Sequence, residues 1–134
     1  MFLRKIALCF SAGGLGGLIN SLVVWAAGLT GISAGLGVSI APPLTAPWLY
    51  QRVVWGGLWA FLFLLPVLKG MPYLAGILWS LGPTIVQLGV IFPFVANKGF
   101  LGLELGALTP LLVFIFNAVW GLVAAFVLTS SDSD

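Results

Sequence analysis

Few side chains in this sequence could carry chemistry. Among 134 residues there are five Lys and Arg, three Asp and Glu, one Cys and no His. The absence of His removes the commonest ligand for zinc and haem and the usual proton carrier near neutral pH. We find no nucleophile beside a base, no paired carboxylates, no phosphate-binding loop and no metal-ligand spacing. We therefore predict that the protein is not an enzyme and that it binds no cofactor and no metal.

Two opposite charges interrupt the apolar sequence, Arg52 and Glu104. Each falls near the start of a predicted helix, and both are expected at similar depth near the outer membrane face. An ion pair between them would relieve the cost of burying either charge. Alternatively, each side chain extends to water separately. If the pair forms, it either gates a cavity or simply holds the two helices together.

Four uncharged polar side chains are expected near the middle of the predicted membrane spans. Lipid offers them no hydrogen-bond partner, so they should face protein rather than the bilayer. Hydrogen bonds between them would fix the register of neighbouring helices, and this is the interpretation we favour. The alternative is that they line a path for a polar solute. These residues are Asn20, Thr84, Gln87 and Asn117.

The composition indicates what kind of fold positions these residues. Hydrophobic residues make up 61% of the chain and charged residues 6%, whereas soluble domains carry about 25% charged residues. Uncharged runs are long enough for helices of roughly 20 apolar residues, the length that spans a bilayer. We predict a single all-α integral membrane domain over residues 1–134, with four transmembrane helices at about 6–28, 47–68, 72–94 and 102–128.

The segments between these helices are unusual. The Gly- and Pro-rich connection at about 29–46 and the segment 93–104 are too apolar for ordinary exposed loops. Both are expected to be half-buried or re-entrant, which is possible where protein covers the backbone. The tail is placed at 129–134, and its residues 131–134 are expected to be frayed.

The two halves of the chain resemble each other. Residues 52–61 align with residues 117–126 at an offset of 65, sharing Val, Trp, Gly, Ala and Phe. Ala12-Gly13 aligns with Ala75-Gly76 at an offset of 63. We predict two tandem two-helix hairpins, at about 12–68 and 75–128, related by a pseudo-two-fold axis along the membrane normal.

Glycines recur at helical spacing on the predicted helices. Small residues let two helix backbones approach closely inside a membrane, where polar groups can then bond across the contact. The glycines expected to pack helices in this way are Gly13, Gly17, Gly56, Gly102, Gly106 and Gly121.

The distribution of Lys and Arg predicts the orientation. Placing the N-terminus inside leaves Arg4, Lys5 and Lys69 in the cytoplasm, and Arg52 and Lys98 outside. Both termini are then cytoplasmic, and Arg4 and Lys5 can meet anionic lipid headgroups. The net charge of +2 includes no basic cluster beyond these two residues, so a nucleic-acid partner is not expected.

Several features together resemble YagU-type small bacterial inner-membrane proteins. They are the Ala-Gly start of the first and third helices, the Pro-containing segment after each, and Ile91-Phe92-Pro93-Phe94. The resemblance spans most of the chain, although this sequence is shorter and lacks the charged loops and His residues of that group. It implies a multi-pass protein of a bacterial inner membrane.

These observations favour a non-catalytic function. We expect a packing or scaffold subunit that associates through its Gly-rich faces, as a homo-oligomer or within a larger membrane complex, in contact with membrane lipids. One alternative is a channel or transporter for a small solute. Another is a lipid- or quinone-binding membrane protein.

Overall fold

The computed structural model describes residues 2–132, and those residues form helices and connections without any strand. Two α-helices continue in another helical form: one as the 3₁₀ turn Ala60–Leu64, the other as the π-helical segment Gln87–Val95. A second 3₁₀ segment, Phe100–Leu105, precedes the last helix. The α-helices are α1 (Phe2–Leu29), α2 (Ile32–Gly35), α3 (Ala46–Trp59), α4 (Pro72–Val86) and α5 (Thr109–Asp132).

Three helices are long and apolar enough to cross a membrane: Phe2–Leu29, Pro72–Val95 and Thr109–Ser131. Many of their large hydrophobic side chains lie on the outside of the bundle. Exposing so much apolar surface to water would be unfavourable. The prediction of an all-helical protein is confirmed for the described residues, and these three helices are long and apolar enough to be membrane spans.

Prolines lie at the start of α3 and just after the 3₁₀ turn that continues it. The helix begins behind the Thr45 hydroxyl, which accepts from the Trp48 N–H at 3.4 Å, and Pro47 lies in its first turn. Proline is favoured there because its missing N–H would have no helical partner. The helical structure then ends at Leu64, four residues before the predicted end. Leu65 is extended (ψ 137°), as expected for a residue that precedes a proline.

The predicted helix 72–94 has nearly the observed length but changes form along its course. Pro83 lies inside α4 and Pro93 lies inside the π-helical segment. A proline removes one helical hydrogen bond, and its ring clashes with the carbonyl four residues earlier. After Pro83 the turns widen, and the Ala96 N–H bonds to the Ile91 carbonyl five residues back at 2.7 Å. Widened turns of this kind occur frequently at functional sites.

The last helix begins at Thr109, seven residues later than predicted. Leu101 and Gly102 are left-handed (φ 61° and 69°), and Gly106 has φ 147°, so a regular helix cannot pass through them. Gly102 lies against the Phe92 ring, and Gly106 lies on the backbone of another connection. Neither glycine packs two α-helices together. The tail 129–134, predicted to be frayed from residue 131, is helical as far as Asp132, and its last two residues lie outside the described part.

The helices pack in the order α3, α1, α5, α4, with little contact between α3 and α4. Backbones meet closely at two levels: Gly13 and Gly17 of α1 lie against Gly56 of α3, and Gly76 of α4 lies against Gly121 of α5. Glycine is required at these points because an added Cβ would overlap the opposing backbone. The two outer helices are therefore held through α1 and α5.

The two long connections cover one end of the bundle together. The Ser39 N–H donates to the Leu105 carbonyl at 2.8 Å, which joins the connection after α1 to the one before α5. Val38 is almost completely buried, and it packs against Val24 of α1 and Phe116 of α5. Most other residues of the two connections at this end of the bundle, called the loop end below, are exposed, so the half-buried or re-entrant segments stay a prediction.

We expect Gly76→Ala to destabilise the protein. The new Cβ would lie 2.8 Å from the carbonyl carbon of Gly121, and overpacking of this kind costs about 1–3 kcal/mol. Gly89→Ala is the matched control because its Cβ would meet open space. Thermal unfolding in detergent, followed by circular dichroism, should show a lower midpoint for Gly76→Ala only. Equal midpoints for both variants would show that α4 and α5 do not pack through Gly76.

Candidate functional site

Arg52 lies in the second turn of α3 and is bound to α1. Its Nε donates to the Ser21 hydroxyl at 2.8 Å, and its Nη2 donates to the Asn20 Oδ1 at 2.6 Å. The guanidinium carbon stands 4.9 Å from the centre of the Trp48 ring, one turn earlier on α3. A cation over an indole face is attracted by the negative charge of that face. Arg52 is thus held in one position by neutral groups.

The acceptors of Arg52 are themselves held in place. Asn20 is buried, and its Nδ2 donates to the Phe116 carbonyl of α5. Ser21 is fully buried, and its hydroxyl donates to the Gly17 carbonyl at 2.6 Å. The Asn20 Oδ1 can only accept, and the single Ser21 hydroxyl hydrogen goes to Gly17, so both oxygens accept from Arg52. The side chain of Asn20 therefore links α3, α1 and α5.

The Arg52 guanidinium keeps unused donors. It has five N–H groups, and two of them have protein acceptors. Within residues 2–132, no further acceptor is bonded to the remaining three. Arg52 is half-buried, and none of its nitrogens is a fully buried atom without a partner, so these N–H groups are open to the space beside the helices.

Glu104 is not the partner of Arg52. It lies exposed in the segment Phe100–Leu105, with its carboxylate next to Gly99. No ion pair between Glu104 and Arg52 occurs in the part of the chain that the structure describes. The prediction placed Glu104 inside the last helix at the depth of Arg52. The left-handed residues before Thr109 remove it from that helix.

A second polar group joins α4 to α5. The Asn117 Nδ2 donates to the Thr84 hydroxyl at 2.9 Å and lies 3.4 Å from the Gln87 Oε1. Thr84 donates in turn to the Ser80 carbonyl at 2.7 Å. Three of the four predicted polar residues are therefore together, while Asn20 belongs to the Arg52 group.

Two cavities of about 400 Å³ each meet at these polar residues. The first lies at the loop end and includes Lys98 in its lining. The second lies between α3 and α4, above Gly17 and Asn20 of α1. Small-molecule sites commonly have this size. Four residues line both cavities: Trp48, Arg52, Gln87 and Asn117.

The second cavity exists because α3 and α4 separate towards the loop end. The two helices touch at Gly82 of α4, where an added Cβ would lie 2.9 Å from the Trp59 ring of α3. Pro83 follows at once, and the widened turns Gln87–Val95 come next. The lining of the cavity on the α4 side includes Pro83 and Gln87. Pro83 and the widened turns that follow it therefore lie beside the opening near Arg52.

The arrangement is suited to binding an anion. A guanidinium matches the planar geometry of a carboxylate and the oxygens of a phosphate. The neutral amides of Gln87 and Asn117 line the same space and can bond to further polar atoms. No acidic side chain is found among the residues that line either cavity.

Sequence reasoning missed three side chains that shape this region. Ser21 and Trp48 contact Arg52 directly, and Trp120 Nε1 donates to the carbonyls of Gly13 (3.2 Å) and Gly56 (3.1 Å). Trp48 could have been found, because it precedes Arg52 by four residues and so shares its helix face. Ser21 and Trp120 had no such signal, since their partners lie on other helices.

Nothing matches this chain in comparisons with protein-family models, curated proteins and solved structures.

We expect Asn20→Leu to destabilise the protein by about 1–3 kcal/mol, because it removes the acceptor of one Arg52 N–H and the bond from α1 to the Phe116 carbonyl. Asn117→Leu should cost less, about 0.6 kcal/mol, the average for a bond between neutral groups of membrane helices. Midpoints of thermal unfolding in detergent would measure both effects. The double variant Asn20→Leu/Arg52→Leu should recover part of the loss, since no stranded charge remains. Strictly additive effects would mean that the two side chains do not interact.

Proposed function

We propose that this chain is a non-catalytic, multi-pass membrane protein that binds a small anionic solute at Arg52. The observation that carries the proposal is the position of this guanidinium where two cavities meet, with three N–H groups free of protein acceptors within residues 2–132. Ionisable residues inside membrane segments are costly, and they commonly mark the path or the site of a ligand. An anion in the cavity would complete the hydrogen bonds of Arg52 and balance its charge.

This proposal favours solute binding over the packing-subunit hypothesis. The glycine faces that were expected to contact other subunits contact each other instead: Gly13 and Gly17 meet Gly56, and Gly76 meets Gly121. Since these faces are already covered within the chain, they support little association with a partner. The uncovered feature is the cavity between α3 and α4.

The proposal includes four membrane spans arranged as two hairpins. The fourth span would be α3 with its 3₁₀ turn, Ala46–Leu64, which is roughly 30 Å long and so matches the hydrocarbon core. The contacts of Gly13 with Gly56 and of Gly76 with Gly121 support a tandem repeat, because the aligned halves of the sequence bring equivalent glycines together. Under this repeat, the contact of α3 with α4 corresponds to the contact of α5 with α1. The first contact is loose, whereas the second is extensive. The proposed site lies where this repeat symmetry is broken.

We assign the protein to a bacterial inner membrane with both termini in the cytoplasm. The location rests on the resemblance to YagU-type proteins. The orientation rests on Arg4, Lys5 and Lys69, which belong to the start of α1 and the connection before α4. That end is opposite the loop end, so Arg52 would lie nearer the outer surface.

Reporter fusions test this topology. A fluorescent protein that matures only in the cytoplasm should be bright when fused after Lys69 and when fused to the C-terminus, because an even number of spans separates each from the N-terminus. Alkaline phosphatase, which needs the outer side, should be active when fused after Lys98. A dark fusion at either cytoplasmic site would rule out four spans in this orientation.

Anion binding can be measured directly in uncharged detergent. We expect acetate and inorganic phosphate to change the tryptophan fluorescence saturably, because Trp48 lies 4.9 Å from the Arg52 guanidinium. Arg52→Gln should weaken binding about tenfold or more, the amount expected for loss of charged hydrogen bonds. Arg52→Lys should be intermediate, since it keeps the charge but loses the planar fork.

Arg4→Gln is the matched control, because it removes an exposed cation from α1 near the opposite end. It should leave the binding curve unchanged. An identical curve for Arg52→Gln and the unmodified protein would disprove the proposed function.

A further inference from the structure

We propose that the anion bound at Arg52 is the carboxylate or phosphate head of a single-chain amphiphile, whose hydrocarbon chain lies in the cavity between α3 and α4. The inference rests on the proposed function and specifies the class of ligand. It follows from the different linings of the two cavities that share Arg52.

The cavity between α3 and α4 is suited to a hydrocarbon chain. Apart from Arg52, its lining has no charged side chain among the described residues, and Gln51, Gln87 and the two Asn residues are its other polar side chains. The remaining surface is largely aromatic and aliphatic. It comprises Trp48, Trp55, Trp59, Trp120, Pro83, Val86 and Ile91, with Gly17 and Gly56.

This cavity is also accessible from the side. Trp55, Val86 and Ile91 line it and are exposed on the outside of the bundle. They lie on α3, on α4 and on the π-helical extension of α4, and α3 has little contact with α4. In a membrane, this side of the bundle would face lipid tails, so an amphiphile could enter without crossing water.

The charged head has a defined place at one end of the cavity. Arg52 and Lys98 are the cations of the two linings, and neither lining contains a carboxylate. Lys98 is exposed at the loop end. Both positive charges thus lie on the loop-end side of the apolar lining. The anionic head of an amphiphile would lie beside these cations, because opposite charges attract near a membrane surface.

At the opposite end of the cavity, α3 and α4 are in contact. Trp59 packs against Gly82, about 16 Å along α3 from Trp48 by the helical rise. A single chain can lie between these two tryptophans and continue outwards between α3 and α4. The volume of about 400 Å³ is at the small end of ligand sites, which favours one chain over two.

The test uses delipidated protein in uncharged detergent and four probes. Oleate and oleyl phosphate have both the head and the chain, oleyl alcohol has the chain without the charge, and acetate has the charge without the chain. Binding is followed by tryptophan fluorescence and by native mass spectrometry. We expect oleate or oleyl phosphate to bind at least about tenfold more tightly than acetate and oleyl alcohol, a difference of about 1.4 kcal/mol.

Two matched pairs of variants locate the ligand. Val86→Trp fills the cavity, whereas Ile85→Trp adds the same side chain to a neighbouring exposed position that does not line it. Val86→Trp should lose oleate but keep acetate, and Ile85→Trp should keep both. Arg52→Gln should weaken the binding of both ligands about tenfold or more, and Arg4→Gln should leave both unchanged.

A measurement on the unmodified protein guards against misfolded variants. A bromine atom quenches tryptophan fluorescence on contact, and four tryptophans line the cavity. Dibromostearate should therefore quench saturably and at lower concentration than the corresponding brominated alcohol. Equal quenching by the two compounds would overturn the inference.

The remaining outcomes separate this inference from the proposed function. If acetate and oleate bind equally through Arg52 and Val86→Trp has no effect, the amphiphile is wrong and anion binding at Arg52 stands. If Arg52→Gln changes neither ligand, both proposals fail. If a diacyl phospholipid stays bound to the protein and oleate does not displace it, the proposal of a single-chain ligand is wrong.

Discussion

The amide of Asn20 is the point on which the arrangement of three helices depends. It accepts from Arg52 on α3 and donates to the Phe116 carbonyl on α5, while it is itself buried on α1. A bilayer interior offers no alternative partner to an amide or a guanidinium. Each polar group must therefore be satisfied by another helix, and the bonds that satisfy Asn20 fix the positions of α3 and α5 relative to α1.

Close backbone contact and separation occur in the same small bundle. At the Gly13–Gly56 and Gly76–Gly121 contacts no side chain stands between the helices, and Trp120 Nε1 donates to two carbonyls at the first of them. Towards the loop end, Pro83 and the widened turns Gln87–Val95 accompany the separation of α4 from α3. The tight contacts hold the bundle together while leaving space beside Arg52. This division allows a chain of this length to have both a stable fold and a cavity.

Much of the helical architecture could be predicted from the sequence. The apolar runs indicated α1, α4 with its extension, and α5, because the length of an apolar segment is a local property. Pro47 marked the start of α3 for the same reason. The predicted start of the last helix was wrong, because left-handed residues at Leu101, Gly102 and Gly106 interrupt the chain before Thr109. Gly102 packs against Phe92 and Gly106 packs against the other connection. The four spans and the tandem repeat stay predictions.

The sequence by itself determined which residues had to find partners. Arg52, Asn20, Thr84, Gln87 and Asn117 are polar in an apolar chain, and that fact follows from composition alone. The tertiary structure decided which partners they have. Arg52 bonds to Asn20 and Ser21 rather than to Glu104, and Asn117 bonds to Thr84. Hydrogen bonds act over about 3 Å, so partners far apart in sequence are set by how α1, α3, α4 and α5 pack, which a one-dimensional pattern does not contain.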